Sequence, residues 1–399
     1  MKTGNKVVLA FSGGLDTSFC VVRLKAQGFR VITVFVTTGD LSGPARNEIE
    51  RRARKLGAWR HYTIDVSDKV YRNIVAYLIK SSGLYQGVYP QLCADRYAIV
   101  EECVRIAQRS GTKLIAHGCT AMGNDQVRFD VSIRALGDHR IIAPIRELQA
   151  KIKTGLRQYE ADYLQRAGFP VPRRQKKYTV NQNLLGVTIS GSEIDDLGEP
   201  SEDAYILTRS RAAVKPRYVE IGFEHGLPVS LNGKITPGPQ ILKILNKIVG
   251  SYGIGRFTYT GDCVIGIKGR IAFECPGLHA LLTAHRVLEE AVLSKEQNRF
   301  KRPLADQWAH LVFSGLYFDP LRADLERCLD SLQRFVTGRV VLKLQTRNLE
   351  AVSYSSSYLL RSKKVVYAQQ STWQPVEAEG FVKLYGMSTT LAGQRRSSR

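Results

Sequence analysis

Val7-Val8-Leu9-Ala10-Phe11 followed by Ser12-Gly13-Gly14-Leu15-Asp16-Thr17-Ser18 decides the fold of this chain. The first five residues make an apolar run of strand length. The next two glycines make a tight turn, and a helix start follows. Adjacent glycines let a backbone approach a ligand with its amides exposed, and the hydroxyls of Ser12, Thr17 and Ser18 add donors where a helix dipole favours negative charge. A dipole contributes about 0.3 to 1 kcal/mol at an exposed site, so several such contributions must converge to hold a phosphate. A kinase-like phosphate loop needs a Lys after its last glycine, and Leu15-Asp16 stands there instead, so the loop is of another kind. The same residues also read as a plain glycine turn with Ser and Asp as helix caps.

Working outward, short apolar runs alternate with helical spacing. Strands are expected over 7–11, 30–36, 62–65, 114–116 and 141–143, and helices over 17–26, 45–56, 69–80, 95–108 and 156–167. That alternation implies an α/β fold with a doubly wound parallel sheet, whose ligands gather at the carboxyl ends of the strands. Gly168 to Pro172, with the basic run Arg173 to Lys177, predicts a boundary. Beyond it, strands expected over 218–223, 264–267 and 340–343 mix with helices over 239–249, 278–293 and 321–336, an α+β second domain. A polar stretch from Ser353 to Gln374 and a short, frayed tail read as an extended arm for oligomer contacts. The expected domains are 1–168, 174–355 and 356–399.

The chain has 399 residues, 44% of them apolar and 24% charged, which suits two or three domains with full cores. No run approaches a membrane span, no signal peptide opens the chain, and cytoplasm is the expected location. Seven cysteines without a Cys-x-x-Cys pair argue against disulfides, structural zinc or a catalytic sulfur. A net charge of +22 attracts ATP and acidic substrates. The basic residues are dispersed without an RNA-binding signature, which argues against specific nucleic-acid recognition.

A second motif follows the fourth expected strand: Ala116-His117-Gly118-Cys119-Thr120-Ala121-Met122-Gly123-Asn124-Asp125-Gln126-Val127-Arg128-Phe129. Arg128 can hold a carboxylate bidentately, and Thr120 and Asn124 offer neutral donors, a combination suited to amino-acid recognition. His117 reads as a structural residue. The first motif resembles the pyrophosphate loop of the N-type ATP pyrophosphatases, and the two motifs together resemble the argininosuccinate synthase family. Ala143-Pro144 with Arg146, Asn183-Leu184, Gly253 to Arg256, Ile265 to Lys268, Thr283 to Arg286 and Glu379 to Phe381 extend the likeness over nearly the whole chain. The resemblance implies that the ureido oxygen of citrulline attacks the α-phosphorus of Mg²⁺-ATP, and that aspartate then displaces AMP. It further implies a homotetramer with no membrane contact.

Carried over by position, Ala10, Phe11, Ser12, Gly13, Gly14, Leu15, Asp16, Thr17 and Ser18 would bind ATP, with Gly118 near the nucleotide and Val36 at the adenine wall. Thr120, Asn124 and Asp125 would hold aspartate; Tyr89, Asn124, Arg96 and Arg128 would meet citrulline. Ser12, Asp16, Asp125 and Arg128 are the expected catalytic residues, and no protein ligand to a metal is expected. The citrulline wall departs from the family: Gln91-Leu92-Cys93 replaces Gly-Thr-Ser, Thr179 and Thr188 replace serines, Gly261 replaces a Glu and Phe273 a Tyr. A family Gln is absent at Asp40, and Met122 replaces a Lys. Losing the carboxylate costs about 1.5 to 3 kcal/mol of ammonium binding, unless Asp262 restores it by a one-residue slip. Three readings remain: a ligase with a specialised ureido or amide acceptor, which the altered wall favours; an argininosuccinate synthase using citrulline; or a catalytically weak nucleotide- or nucleic-acid-binding relative.

Overall fold

The computed structural model describes residues 5–38, 43–152, 154–170, 178–208 and 215–397. Strands β1 (Lys6–Ala10), β2 (Arg30–Thr37), β3 (Arg60–Asp65), β4 (Leu114–Ala116) and β5 (Arg140–Ile142) pair in the order β3-β2-β1-β4-β5, all parallel. Helices α1 (Leu15–Ala26), α2 (Gly43–Lys55), α3 (Ser67–Val70), α4 (Ala76–Ser81), α5 (Asp95–Arg109), α6 (Asn124–Ala135), α7 (Pro144–Gln149) and α8 (Leu156–Arg166) connect and cover them.

Alternation along β1 sends its side chains to two cores. Val7 and Leu9 pack with Phe19, Val21 and Leu24 of α1, Ile145 of α7 and Leu164 of α8. Val8 and Ala10 pack with Val100 and Val104 of α5 and Phe129 and Ile133 of α6. The sheet is therefore the doubly wound one expected. The strand order reverses at β1, so a crevice forms between the carboxyl ends of β1 and β4. Both motifs lie at those two ends.

Three antiparallel-sheet features lie further along the chain. Strands β6 (Thr179–Asn183), β7 (Gly186–Ser190), β8 (Arg217–Glu224), β9 (Leu227–Leu231), β10 (Lys234–Ile235), β11 (Arg256–Asp262), β12 (Lys268–Glu274), β13 (Gly338–Gln345) and β14 (Asn348–Ser355) form two sheets, ordered β11-β12-β7-β6 and β10-β9-β8-β13-β14. The third feature corrects an expectation: residues 264–267 are not a strand but the turn joining β11 to β12. The Gly266 N–H bonds the Cys263 carbonyl at 2.9 Å there, and Gly266 takes a φ of +87°, which breaks the β-branched run.

Helices α9 (Gly238–Gly250), α10 (Pro276–Val292), α11 (Lys295–Phe313) and α12 (Pro320–Leu332) complete this half. α11 was not among the expected helices, since Pro303 and its many charges mask the periodicity. Its start is set by a capping box in which Ser294 accepts from the Gln297 N–H and the Gln297 side chain accepts from the Ser294 N–H.

The chain folds as two compact units, one ending at Tyr358 and the other beginning at Leu359. The second holds helix α13 (Pro375–Ser397), where the sequence reading expects a frayed tail. Asp40 and the basic run 173–177 lie outside the described residues.

Candidate active site

Ala10 ends β1 and Phe11 remains buried, its ring edge-on to His61. At Gly13 the backbone turns with φ +77°, a left-handed conformation that glycine adopts without strain. Gly14 then caps α1 without a side-chain bond. Its carbonyl accepts from the Ser18 N–H at 3.0 Å and the Ser18 hydroxyl at 2.6 Å. Arg52 Nε of α2 donates to Ser18 Oγ at 3.0 Å. Ser12 and Thr17 hydroxyls meet at 3.1 Å across the turn. The loop is thus held from inside, and the first-turn amides of α1 have no helical carbonyl to bond. Leu15 and Thr17 are half-buried, and the Asp16 carboxyl turns toward the buried Glu160 of α8.

The second motif meets the first directly. A Cβ on Gly118 would stand 3.3 Å from Thr17 Cγ2 and 3.5 Å from the Thr17 amide nitrogen, so glycine lets the loop after β4 lie against the first turn of α1. His117 is fully buried; its Nδ1 accepts from the Cys119 N–H at 3.2 Å, so Nε2–H donates to Asp130 at 2.8 Å. Arg146 holds the other Asp130 oxygen at 3.0 Å. Burial raises the Asp130 carboxyl, but these two bonds outweigh it and hold it below its ordinary range. The triad fixes the loop, as the structural reading of His117 anticipates. Val36 lies near the end of β2, half-buried against the α5 and α6 core.

Beyond Gly123 the motif becomes helix α6, which the sequence reading left unassigned. Asp125, in its first turn, accepts from Arg128 at 2.8 Å and from Arg96 at 3.1 Å. Burial opposes its charge, yet the two guanidinium groups prevail and hold the carboxyl down at about 2. Arg96 also pairs with Asp95 at 2.7 Å. The fork of Arg128 does not face open space as expected for carboxylate capture. Nε and Nη2 donate to the Phe313 carbonyl at 3.0 and 2.8 Å. That carbonyl ends α11 and has no helical partner, and a cation there is favoured by the dipole. Tyr97 and Gln91 likewise donate to the Val312 and Ala309 carbonyls. α11 is therefore stitched into the site by side chains from the nucleotide half.

The expected acceptor wall is split. Tyr89 is buried beside Thr188 of β7, and burial pushes its phenol up. Phe273 is fully buried, 5.5 Å from the Tyr89 ring, so it supports Tyr89 and presents no surface of its own. Thr179 lies apart on β6, accepting from Arg157 at 3.3 Å. Gln91, Leu92 and Cys93 are all buried. At Gly261 a Cβ would fall 2.2 Å from Gln86 Oε1 and 2.4 Å from the Tyr259 hydroxyl, so a larger residue would displace that pair. The register of β11 with β12 runs unbroken from Arg256 to Asp262, which rules out the one-residue slip. Asp262 is held instead by Gln86 Nε2 at 2.6 Å and by Lys268. The hairpin turn reaches the second motif too, the Val264 N–H donating to Asn124 Oδ1 at 3.0 Å.

Two family models cover this chain: "Arginosuccinate synthase N-terminal HUP domain" over residues 6–170 and "Arginosuccinate synthase C-terminal domain" over residues 178–392. The argininosuccinate synthase of Xylella fastidiosa is 51% identical over 98% of this chain and 97% of its own. That of Xanthomonas campestris is 50% identical over 97% and 98%, and that of Hyperthermus butylicus 40% over 98% and 99%. The chain belongs to the argininosuccinate synthase family. It is accordingly an ATP-dependent ligase that forms C–N bonds.

Several residues that organise this synthase site escaped the sequence reading: Gln86, Asp130, Gln149, Glu160 and Arg52. Gln149 accepts from the Ala121 N–H at 2.6 Å, steadying the second motif. None belongs to a local pattern; each acts on a partner 13 or more residues away, and the density of polar groups after β4 is the one signal.

Proposed function

We propose that this enzyme is an argininosuccinate synthase that activates the ureido oxygen of citrulline with ATP and joins the product to aspartate. The observation carrying this reading is the contact of the first turn of α1, which the glycine turn opens, with the Gly118 loop at the switch point, in the same motif as Asp125 and Arg128 of the Arg96–Asp125–Arg128 cluster. Such a crevice suits a polyphosphate on the α1 amides and an amino acid on α6, so the reacting atoms would be brought together by binding rather than by a covalent nucleophile. The altered wall favours a specialised acceptor, but relatives half identical over whole chains support citrulline, and we adopt it over that expectation and over a binding-only role.

In this reading Ser12 to Ser18 hold the phosphates, Thr120 and the Asn124 amide hold aspartate, and Tyr89 with Thr188 bounds the acceptor. Arg128 and Arg96 act through Asp125. Among the described residues no group of three His, Cys, Asp or Glu could cage a metal. Mg²⁺ would enter with the triphosphate and neutralise charge as pyrophosphate departs. The division into 1–168, 174–355 and 356–399 remains our assignment of nucleotide half, ligase half and arm. No described helix is long and apolar enough to cross a membrane. Uncovered Phe381, Leu384 and Tyr385 on α13 support a homotetramer built through the arm.

Pyrophosphate release with ATP, aspartate and a panel of ureido and amide compounds tests the acceptor. The expected result is turnover on citrulline at least tenfold above every other compound. Faster turnover on a different compound would return the specialised acceptor.

A further inference from the structure

Glu160 lies on α8, fully buried, its carboxyl against that of Asp16, and its Oε2 accepts from no donor. Two carboxyl groups in such contact do not both ionise, because no water or cation separates them. Asp16 is half-buried in the first turn of α1, where the dipole favours an anion, so the proton resides on Glu160. The surroundings offer nothing to reverse this. Arg157 is exposed on Glu160's own helix and donates to Thr179 at 3.3 Å. Cys20, one turn beyond Asp16, faces both carboxyls together with Cys119 and Glu147; burial and those charges push its thiol up, so it stays neutral.

We propose that Glu160 is a positioning residue of the ATP half-reaction: its protonated carboxyl donates to Asp16, pins the first turn of α1 to α8, and keeps the glycine turn shaped for a polyphosphate. The inference rests on the reading of that turn as the ATP site. Ionised Glu160 would repel Asp16 and add a second buried negative charge behind the bound phosphates. ATP binding and protonation of Glu160 therefore favour each other, by reciprocal linkage. Burial, with Asp16 adding to it, raises the Glu160 carboxyl to about 8, which sets the pH range where the coupling is visible.

The experiment is calorimetry of Mg²⁺-ATP binding to the full chain at pH 8.5, in two buffers of different ionisation enthalpy, on wild type and Glu160→Gln. Gln keeps a donor toward Asp16 and cannot titrate. Wild type should take up a proton that the variant does not, after the shared contribution of ATP itself cancels. In parallel, kcat/KM for ATP should fall about tenfold per pH unit above the midpoint in wild type and stay flat in the variant. Equal proton uptake in both proteins, or an alkaline limb that survives in Glu160→Gln, overturns the proposal. Should the variant not fold, ATP binding by wild type without net uptake overturns it equally. Absence of ATP binding altogether would instead refute the assignment of the glycine turn.

Discussion

Arg128 shows how one residue serves packing and chemistry together. Its guanidinium caps the last carbonyl of α11 and orients Asp125, so Arg128→Met leaves a buried carbonyl without its donor and Asp125 with Arg96 alone. Leaving a buried carbonyl unsatisfied costs about 1 to 3 kcal/mol, and urea unfolding should show a loss of that size. Asp125, held at about 2, stabilises the fold above the ordinary carboxylate range and loses that contribution as pH falls toward 2. In the variant, carbon NMR of the Asp125 carboxyl should move its titration upward. Glu160 has the opposite sign. Its native carboxyl keeps a proton that the unfolded chain gives up near 4.5, so stability declines between about 4.5 and 8. Glu160→Gln should flatten that decline in a series of thermal melts. At Gly118, a methyl must push Thr17 aside; Gly118→Ala is expected to raise KM for ATP several-fold with a smaller change in kcat, read by steady-state kinetics.

At the scale of elements, what the sequence revealed followed the range of the forces involved. β1 and β2 are apolar on both faces, the glycine turn is local chemistry, and α1, α5 and α8 carry clear periodicity, so the parallel sheet and its switch point were legible. Leu9 sits at the centre of one core, and Leu9→Ala should cost about 2 to 5 kcal/mol in urea unfolding. The ligase half was harder to read. β6, β7, β11 and β12 are short, polar on one face and defined by partners far along the chain, and α11 hides Trp308 behind charged residues and Pro303. The site divided in the same way: the phosphate turn and α6 were visible, whereas the Gln86–Tyr259–Asp262 bracket depends on three side chains meeting across about 170 residues. That bracket also explains why Gly261 has no side chain.

For the whole molecule, a charge of +22 acts on encounter more than on contact. Raising ionic strength from about 0.05 to 0.5 M should slow capture of ATP and aspartate, seen as lower kcat/KM with kcat little changed. Two halves of different architecture meet through α11, whose terminal carbonyls receive Gln91, Tyr97 and Arg128, so the ligase half is fastened to the second motif and to the segment around the start of α5. The central claim is that the crevice at β1 and β4 grips a triphosphate so that an acceptor oxygen can take AMP from it. Citrulline labelled with ¹⁸O in its ureido group, turned over with ATP and aspartate, tests this most directly. The label is predicted in the phosphate of AMP; unlabelled AMP, or ADP in its place, would contradict the account.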